Sequence, residues 1–239
     1  MQKTAIIIQA RVGSSRYPGK ILKKISDLPL IEWVIKRVKG SKKIKNIILA
    51  TTSNKIDDVL VKIAKQNKIL IYRGENKNVL NRFYEASKKN RVKTIVRVCA
   101  DNPFVDSRQI DILINAFNKN NHDYICNHQN KLNSNYADGF GAEIFSFQTL
   151  KKIHNFAKNR AHKEHITKYI WDNSEKFKIL AIPAPKSLAF PKLKFDINTK
   201  KDFNLINRLV KKNKINLKSS ANDIVIFKLL EKNKNLNQL

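Results

Sequence analysis

Two cysteines in 239 residues, Cys99 and Cys126, are too few for a disulfide framework, and they show no C-x-x-C spacing for zinc. No apolar run approaches the roughly 20 residues needed to span a bilayer. The opening stretch, Met1 to Gln9, lacks the apolar core length and the small-residue cleavage site of a signal peptide, and Arg11 follows at once. A cytoplasmic location is therefore expected. Acidic residues are also scarce: 19 Asp+Glu against 48 Lys+Arg leave a formal charge of +29. That excess first suggests a nucleic-acid binder. However, only ten of the basic residues are Arg, the side chain that reads phosphate and bases bidentately. The lysines are spread along the whole chain beside Asn and Ile. Zinc-finger spacing, an RNP-like aromatic motif and basic-zipper heptads are all missing. A solvated lysine surface outweighs a dedicated nucleic-acid face, and the charge favours anionic ligands and speeds their encounter at low salt.

What is present is a globular core. A hydrophobic fraction of 42% excludes wholesale disorder, and the length suits one α/β domain. Short apolar, β-branched runs predict strands at 4–9, 46–51, 69–72, 94–99 and 123–127. Between them, amphipathic patterns predict helices at 30–38, 57–66, 78–89 and 107–117, the first opened by Pro29 and closed by Gly40. Strand alternating with helix predicts an open, mostly parallel central sheet with helices on both faces. Ligands on such sheets collect at the carboxyl ends of the strands. Beyond Asn127 the pattern changes. A polar loop is expected at 128–138, a strand at 143–147, helices at 149–156 and 162–171, an extended segment marked by Pro183, Pro185 and Pro191, a strand at 193–197 and a helix at 199–211. With no repeat and no linker, residues 1–210 read as a single domain. Residues 211–239 form a Lys/Asn-rich segment whose role the sequence leaves open, with one apolar patch at 224–230.

The richest motif follows the first strand: Gln9-Ala10-Arg11-Val12-Gly13-Ser14-Ser15-Arg16-Tyr17-Pro18-Gly19-Lys20. Glycine permits close backbone approach, serine adds hydroxyl donors, and Arg and Lys neutralise phosphate charge. It is neither a Walker A loop nor G-x-G-x-x-G, because Gly13 and Gly19 are six apart and Ile21 follows Lys20. Asp101 follows the fourth strand, where a carboxylate suits a magnesium ion beside a triphosphate, though a loop-starting Asp before a turn reads equally well. Asp106 suits a helix start. His162 and His165 lie three apart in a helical pattern without neighbouring Cys or convergent carboxylates, which disfavours zinc. Cys99 and Cys126 read as core residues.

The run Ile7 to Leu22 resembles the N-terminal signature of the cytidylyltransferase family, which includes SpsF-like spore-coat polysaccharide proteins, acylneuraminate cytidylyltransferases and other enzymes that make CMP-activated acidic sugars. Further pieces match in order. Asn78 to Tyr84 is similar to the family's D-V-L-x-R-Y/F-Y and Arg97 to Asp106 to its R-x-x-x-D-x-P-x-x-D. Tyr136 to Gly139, Glu143 to Phe145, Glu164 to Ile170 and Phe195 to Thr199 complete the series. The resemblance runs to about residue 210. It implies a GT-A-like nucleotidyltransferase (nucleotide-diphospho-sugar transferase) fold, with CTP and an anionic sugar-acid acceptor as partners. It implies that Lys20, Arg11 and Asp101 are catalytic and that Ala10, Arg11, Gly13, Ser14, Arg16, Lys20, Arg82 and Asp101 bind the nucleotide. Asp101 and Asp196 would ligate Mg²⁺, and Asp138, Glu143 and His165 would meet the acceptor. A homodimer is expected, drawn partly from an acceptor and dimerisation region at 128–195. Neither specific nucleic-acid binding nor membrane insertion is expected. A polyol-phosphate or phosphonate acceptor stays open, as does a glycosyltransferase on the same fold, although Cys99-Ala100-Asp101 is not a D-x-D motif. The non-enzymatic alternative is a basic nucleic-acid-binding protein.

Overall fold

The structure, a computed structural model, describes residues 3–119, 121–127 and 132–236. Residues 128–131 of the expected polar loop and the end of the C-terminal segment, 237–239, lie outside the described residues. The strands are β1 (Thr4–Gln9), β2 (Lys24–Ile25), β3 (Leu28–Pro29), β4 (Ile47–Thr52), β5 (Leu70–Gly74), β6 (Thr94–Cys99), β7 (Tyr124–Cys126), β8 (Glu143–Ser146) and β9 (Ile179–Ala181). The helices are α1 (Leu30–Val38), α2 (Asp58–Gln66), α3 (Val79–Lys89), α4 (Ser107–Lys119), α5 (Phe147–Phe156), α6 (Arg160–Glu164), α7 (Lys168–Asp172), α8 (Lys200–Lys212) and α9 (Ala221–Leu236).

Seven strands form one sheet in the order β5-β4-β1-β6-β8-β7-β9. The pairs β5–β4, β4–β1, β1–β6 and β7–β9 are parallel, and β8 runs antiparallel to both neighbours. The mostly parallel α/β sheet expected from the sequence is therefore present. Side-chain alternation divides the core between its two faces. Ile6 and Ile8 pack with residues of α1, α2, α4, α8 and α9, whereas Ala5 and Ile7 pack with α3, α5 and α7. The chain leaves β1 toward β4 and β5, then returns to place β6 on the other side of β1. That reversal opens a crevice at the carboxyl ends of β1 and β6.

Two expected elements differ. The helix predicted at 162–171 is broken into α6 and α7, with His165 at the break (φ −112°, ψ 89°). The break lowers Ile166 into the core and turns the Thr167 hydroxyl inward. The strand predicted at 193–197 joins no ladder and makes a single parallel bridge, Asp138 to Lys194. Its backbone instead ties two loops together: Phe195 N–H donates to Asp138 O at 3.1 Å and Ile197 N–H to Asp101 O at 2.9 Å. An apolar alternation alone cannot tell a ladder strand from such a tie. The segment after 211 is folded onto the core, with Ile224 and Val225 buried beside α1 residues. Asp106, the expected helix-start residue, accepts the Arg108 N–H in the first turn of α4 and the Ala221 N–H at the start of α9, each at 2.9 Å.

Candidate active site

The loop after β1 is folded around Val12. Its carbonyl accepts the N–H groups of Ser14 and Gly19, each at 2.9 Å, and its own N–H donates to Asp57 Oδ1 at 2.7 Å. Gly19 sits at φ +71°, a left-handed conformation in which a Cβ would be strained, and this turn delivers Lys20 inward. Lys20 is buried, and its Nζ donates to Asp101 Oδ2 at 3.1 Å and to Ile197 O at 2.5 Å. One ammonium thus joins the loop after β1, the loop after β6 and the segment that carries Asp196.

A pocket opens at this junction, about 820 Å³ counting the part open to solvent. Of the residues predicted from the sequence, Ala10, Arg11, Ser14, Arg16, Lys20, Arg82, Asp101 and His165 line it. Arg11 donates to Asn76 Oδ1 at 3.0 Å and lies 3.7 Å from Glu164. Arg82 is buried at the start of α3, donates Nη1 to Glu75 O at 2.9 Å, and has no hydrogen-bond partner for Nε among the described residues. Burial pushes its guanidinium down to about 10, and the charge of Arg11 pushes the same way. Two cations facing one cavity form a site for an anion.

Asp101 and Asp196 are half-buried and close enough to repel. Burial, then the charge of Asp101, raises Asp196 above the usual carboxylate range. Burial and the neighbouring Asp196 push Asp138 up to about 6, with Asp101 adding to the effect. The approach of Asp138 depends on Gly139 (φ +111°), where a Cβ would lie 3.0 Å from Phe195 Cβ. No group of three or more His, Cys, Asp or Glu spaced for one ion occurs among the described residues. Two carboxylates near enough to repel, with one Asp101 oxygen held by Lys20, the other without a hydrogen bond among the described residues, and one Asp196 oxygen held by the Asn198 amide, fit the magnesium arrangement. That ion takes one or two protein carboxylates and completes its shell with phosphate and water.

Gly13 is exposed in the turn after β1, next to Ser14 of the pocket wall. Two expectations are corrected. Glu143 does not meet an acceptor directly. It is 1% exposed on β8, with Oε2 paired to Arg97 and Oε1 accepting the hydroxyls of Tyr124 and Thr167. Cys99 is not wholly core, because it lines the pocket at the end of β6; burial pushes its thiol up to about 12, so it stays neutral. His165 is exposed at the pocket wall, presented by the break between α6 and α7. The sequence reading missed Asp57 and Asn76, and quoted Gln9 in the loop motif without giving it a role. A helix-start Asp and a lone Asn carry no local signal of the loop they hold.

A family model described as Cytidylyltransferase matches residues 5–239. The spore coat polysaccharide biosynthesis protein SpsF of Bacillus subtilis is 30% identical over 217 residues, 89% of this chain and 88% of that protein. The 3-deoxy-manno-octulosonate cytidylyltransferase 2 of Hydrogenovibrio crunogenus is 32% identical over 124 residues, 51% of this chain and 49% of that one. The solved structure of a cytidylyltransferase from Leptospira borgpetersenii superposes with a TM-score of 0.89 at 29% identity, covering 98% of this chain and 96% of the other.

Proposed function

Because the chain belongs to the cytidylyltransferase family and is a CTP-dependent nucleotidyltransferase, we propose that it activates an acidic sugar of the 3-deoxy-ulosonic acid class to a CMP-sugar for surface polysaccharide synthesis. The observation that carries this reading is the junction at Lys20, where a cationic, serine-bearing loop meets the Asp101 carboxylate and the backbone of the segment that carries Asp196. The half-length likeness to an octulosonate cytidylyltransferase favours a ulosonic acid over a polyol phosphate.

In this reading the triphosphate lies against Ser14, Arg16 and Lys20, with Arg11 and Arg82 neutralising the remaining charge. The acceptor's hydroxyl oxygen attacks the α-phosphorus in line. The new O–P bond forms as the bond from that phosphorus to the bridging oxygen breaks, and the electron pair leaves with pyrophosphate. Asp138, beside Asp196, takes the hydroxyl proton. Asp101 and Asp196 would hold Mg²⁺, which when bound supplies charge neutralisation along the triphosphate. Holding the reactants in line and stabilising developing charge carry most of the acceleration in phosphoryl-type transfers.

Pyrophosphate release from each of CTP, UTP, ATP and GTP against a panel of acidic sugars, sugar phosphates and phosphonates tests the reading. Release is expected only with CTP and a ulosonic acid, with Mg²⁺ present. Asp101→Ala is expected to lower kcat by roughly two to three orders of magnitude. Release with a polyol phosphate or phosphonate instead would replace the acceptor class. No release with any pair, together with salt-sensitive oligonucleotide binding, would overturn the assignment.

A further inference from the structure

Glu143 is the hub of a buried polar chain that ends at the pocket. The Arg97 Nε–H can only donate, so the Gln9 atom 3.2 Å from it is the amide oxygen Oε1. The same guanidinium pairs through Nη1 with Glu143 Oε2, and Glu143 Oε1 accepts the Tyr124 hydroxyl at 2.7 Å and the Thr167 hydroxyl at 3.0 Å. With every hub atom engaged, Arg97 has one stable place and the Gln9 amide one orientation. Its NH₂ end makes no hydrogen bond among the described residues, yet Gln9 lines the pocket.

We propose that Gln9 sets acceptor specificity by donating its amide NH₂ to the acceptor's carboxylate, with Arg97 and Glu143 as positioning residues that prevent the amide from turning over. This rests on the ulosonic-acid reading above. Two observations favour the acceptor over the nucleotide base. First, the oxygen of the amide is turned to Arg97, so the end that Gln9 leaves for a ligand is its NH₂ donor. A carboxylate presents acceptors only, whereas the pairing edge of cytosine also carries an amino donor. Second, Gln9 pairs in register with Cys99, two residues before Asp101. In a ulosonic acid the carboxylate is bonded to the carbon that bears the attacking hydroxyl, so its partner must stand beside the reacting centre. The hub also holds Thr167, two residues beyond His165, so acceptor wall and amide are fixed by one carboxylate.

The test uses 3-deoxy-manno-octulosonate, its methyl ester and CTP as probes. Gln9→Met is expected to raise the KM for the acid roughly 10- to 100-fold, the scale of one lost hydrogen bond to a charged group. The Kd for CTP, measured by calorimetry without acceptor, is expected to match wild type, while the melting temperature falls by roughly 2–12 °C because the Arg97 Nε–H loses its acceptor. Arg97→Lys, which cannot repeat the Nε–H contact, is expected to raise the same KM while kcat holds. Wild type is expected to bind the acid over the methyl ester, and Gln9→Met to lose that preference. A parallel loss of CTP affinity, or no change in either constant, would overturn the proposal. If Gln9→Met fails to fold, equal binding of acid and ester by wild type overturns it and a preference for the acid supports it. If wild type releases no pyrophosphate, the reaction assignment fails separately and saturation-transfer NMR of the acid decides for Gln9. Binding lost in Gln9→Met supports the proposal, and no binding to wild type overturns it.

Discussion

Arg37 and Arg82 are buried to nearly the same degree, 5% and 2% exposed, and burial pushes both guanidinium groups down to about 10. Their surroundings differ. Arg37 spends its donors on backbone carbonyls: Nε on Val105 at 2.8 Å, Nη2 on Phe104 at 3.3 Å, and Nη1 on Leu217 and Ser219 at 3.1 Å each. Asp106 offsets the burial of its charge. It locks the loop that follows Asp101 to the start of the C-terminal segment. Arg82 has an idle Nε, faces Arg11 and lines the pocket. A buried cation that has spent its donors is part of the scaffold. A buried cation with a like-charged neighbour at a pocket wall and a donor left over is, in the proposed reading, the one that meets the triphosphate.

That contrast can be broken most directly at Arg37. Arg37→Met leaves several carbonyls without donors and is expected to cost about 3–5 kcal/mol of stability. At about 2–4 °C per kcal/mol for a chain of this size, the melting temperature falls by roughly 6–20 °C, while the KM for CTP in the surviving folded fraction stays near wild type. A melting temperature within a degree of wild type would mean that the C-terminal clamp is dispensable. Arg82→Met should show the opposite profile. Its stability is expected within about 1 kcal/mol of wild type, because a repelled cation is removed, whereas CTP affinity falls roughly 10- to 100-fold. Thermal shift reads both at once. Wild type should gain about 2.7 kcal/mol of stability at CTP concentrations a hundred times Kd, and the variant should lose most of that gain at the same concentration. An Arg82→Met protein that is strongly destabilised but binds CTP normally would reverse the assignment of the two arginines. The smallest effect concerns Asp106, which faces Arg37 across the clamp. Burial opposes ionisation there, but hydrogen bonds from Arg108 and Ala221 hold its carboxyl below the usual range. Its folded-state value is below its unfolded value, so its stabilisation is present above about pH 4. It is lost as the pH falls through the folded value. Urea midpoints between pH 6 and 3 should fall less steeply in Asp106→Asn than in wild type; parallel curves would remove Asp106 from the account.

The arginine pair also marks what was legible. Arg82 stood out because it lies within a family-like run, yet that run does not say that its Nε is idle. Arg37 drew no notice, since an arginine near the end of an amphipathic helix reads as solvated, and its partners lie 67 to 182 positions away. The loop from Ala10 to Lys20 was legible because its chemistry is contiguous, with glycine, serine and cations in one short run after a strand. Glu143 was set at the acceptor by the resemblance alone, and its place at the start of an expected strand did not say which way it faces. Only its pairing in register with Arg97 and Cys126 shows that it is interior. The helix over 162–171 had helical periodicity throughout, and its break at His165 is a tertiary event that lets Ile166 and Thr167 reach the core.

The sequence by itself determined the local elements of the first half: the strand Thr4–Gln9, the helix Leu30–Val38, the strand Thr94–Cys99 and the helix that starts after Asp106. These follow from backbone periodicity and from end residues acting on near neighbours, where a few positions contain the whole cause. Only the tertiary structure decided which charges meet. Lys20 reaches Asp101 and Ile197, Asp138 is brought beside Asp196, the last helix closes on Arg37 and Asp106, and the Gln9 amide is turned toward the pocket by Arg97. Those meetings depend on the register and order of strands far apart in the chain, and no local pattern contains that information.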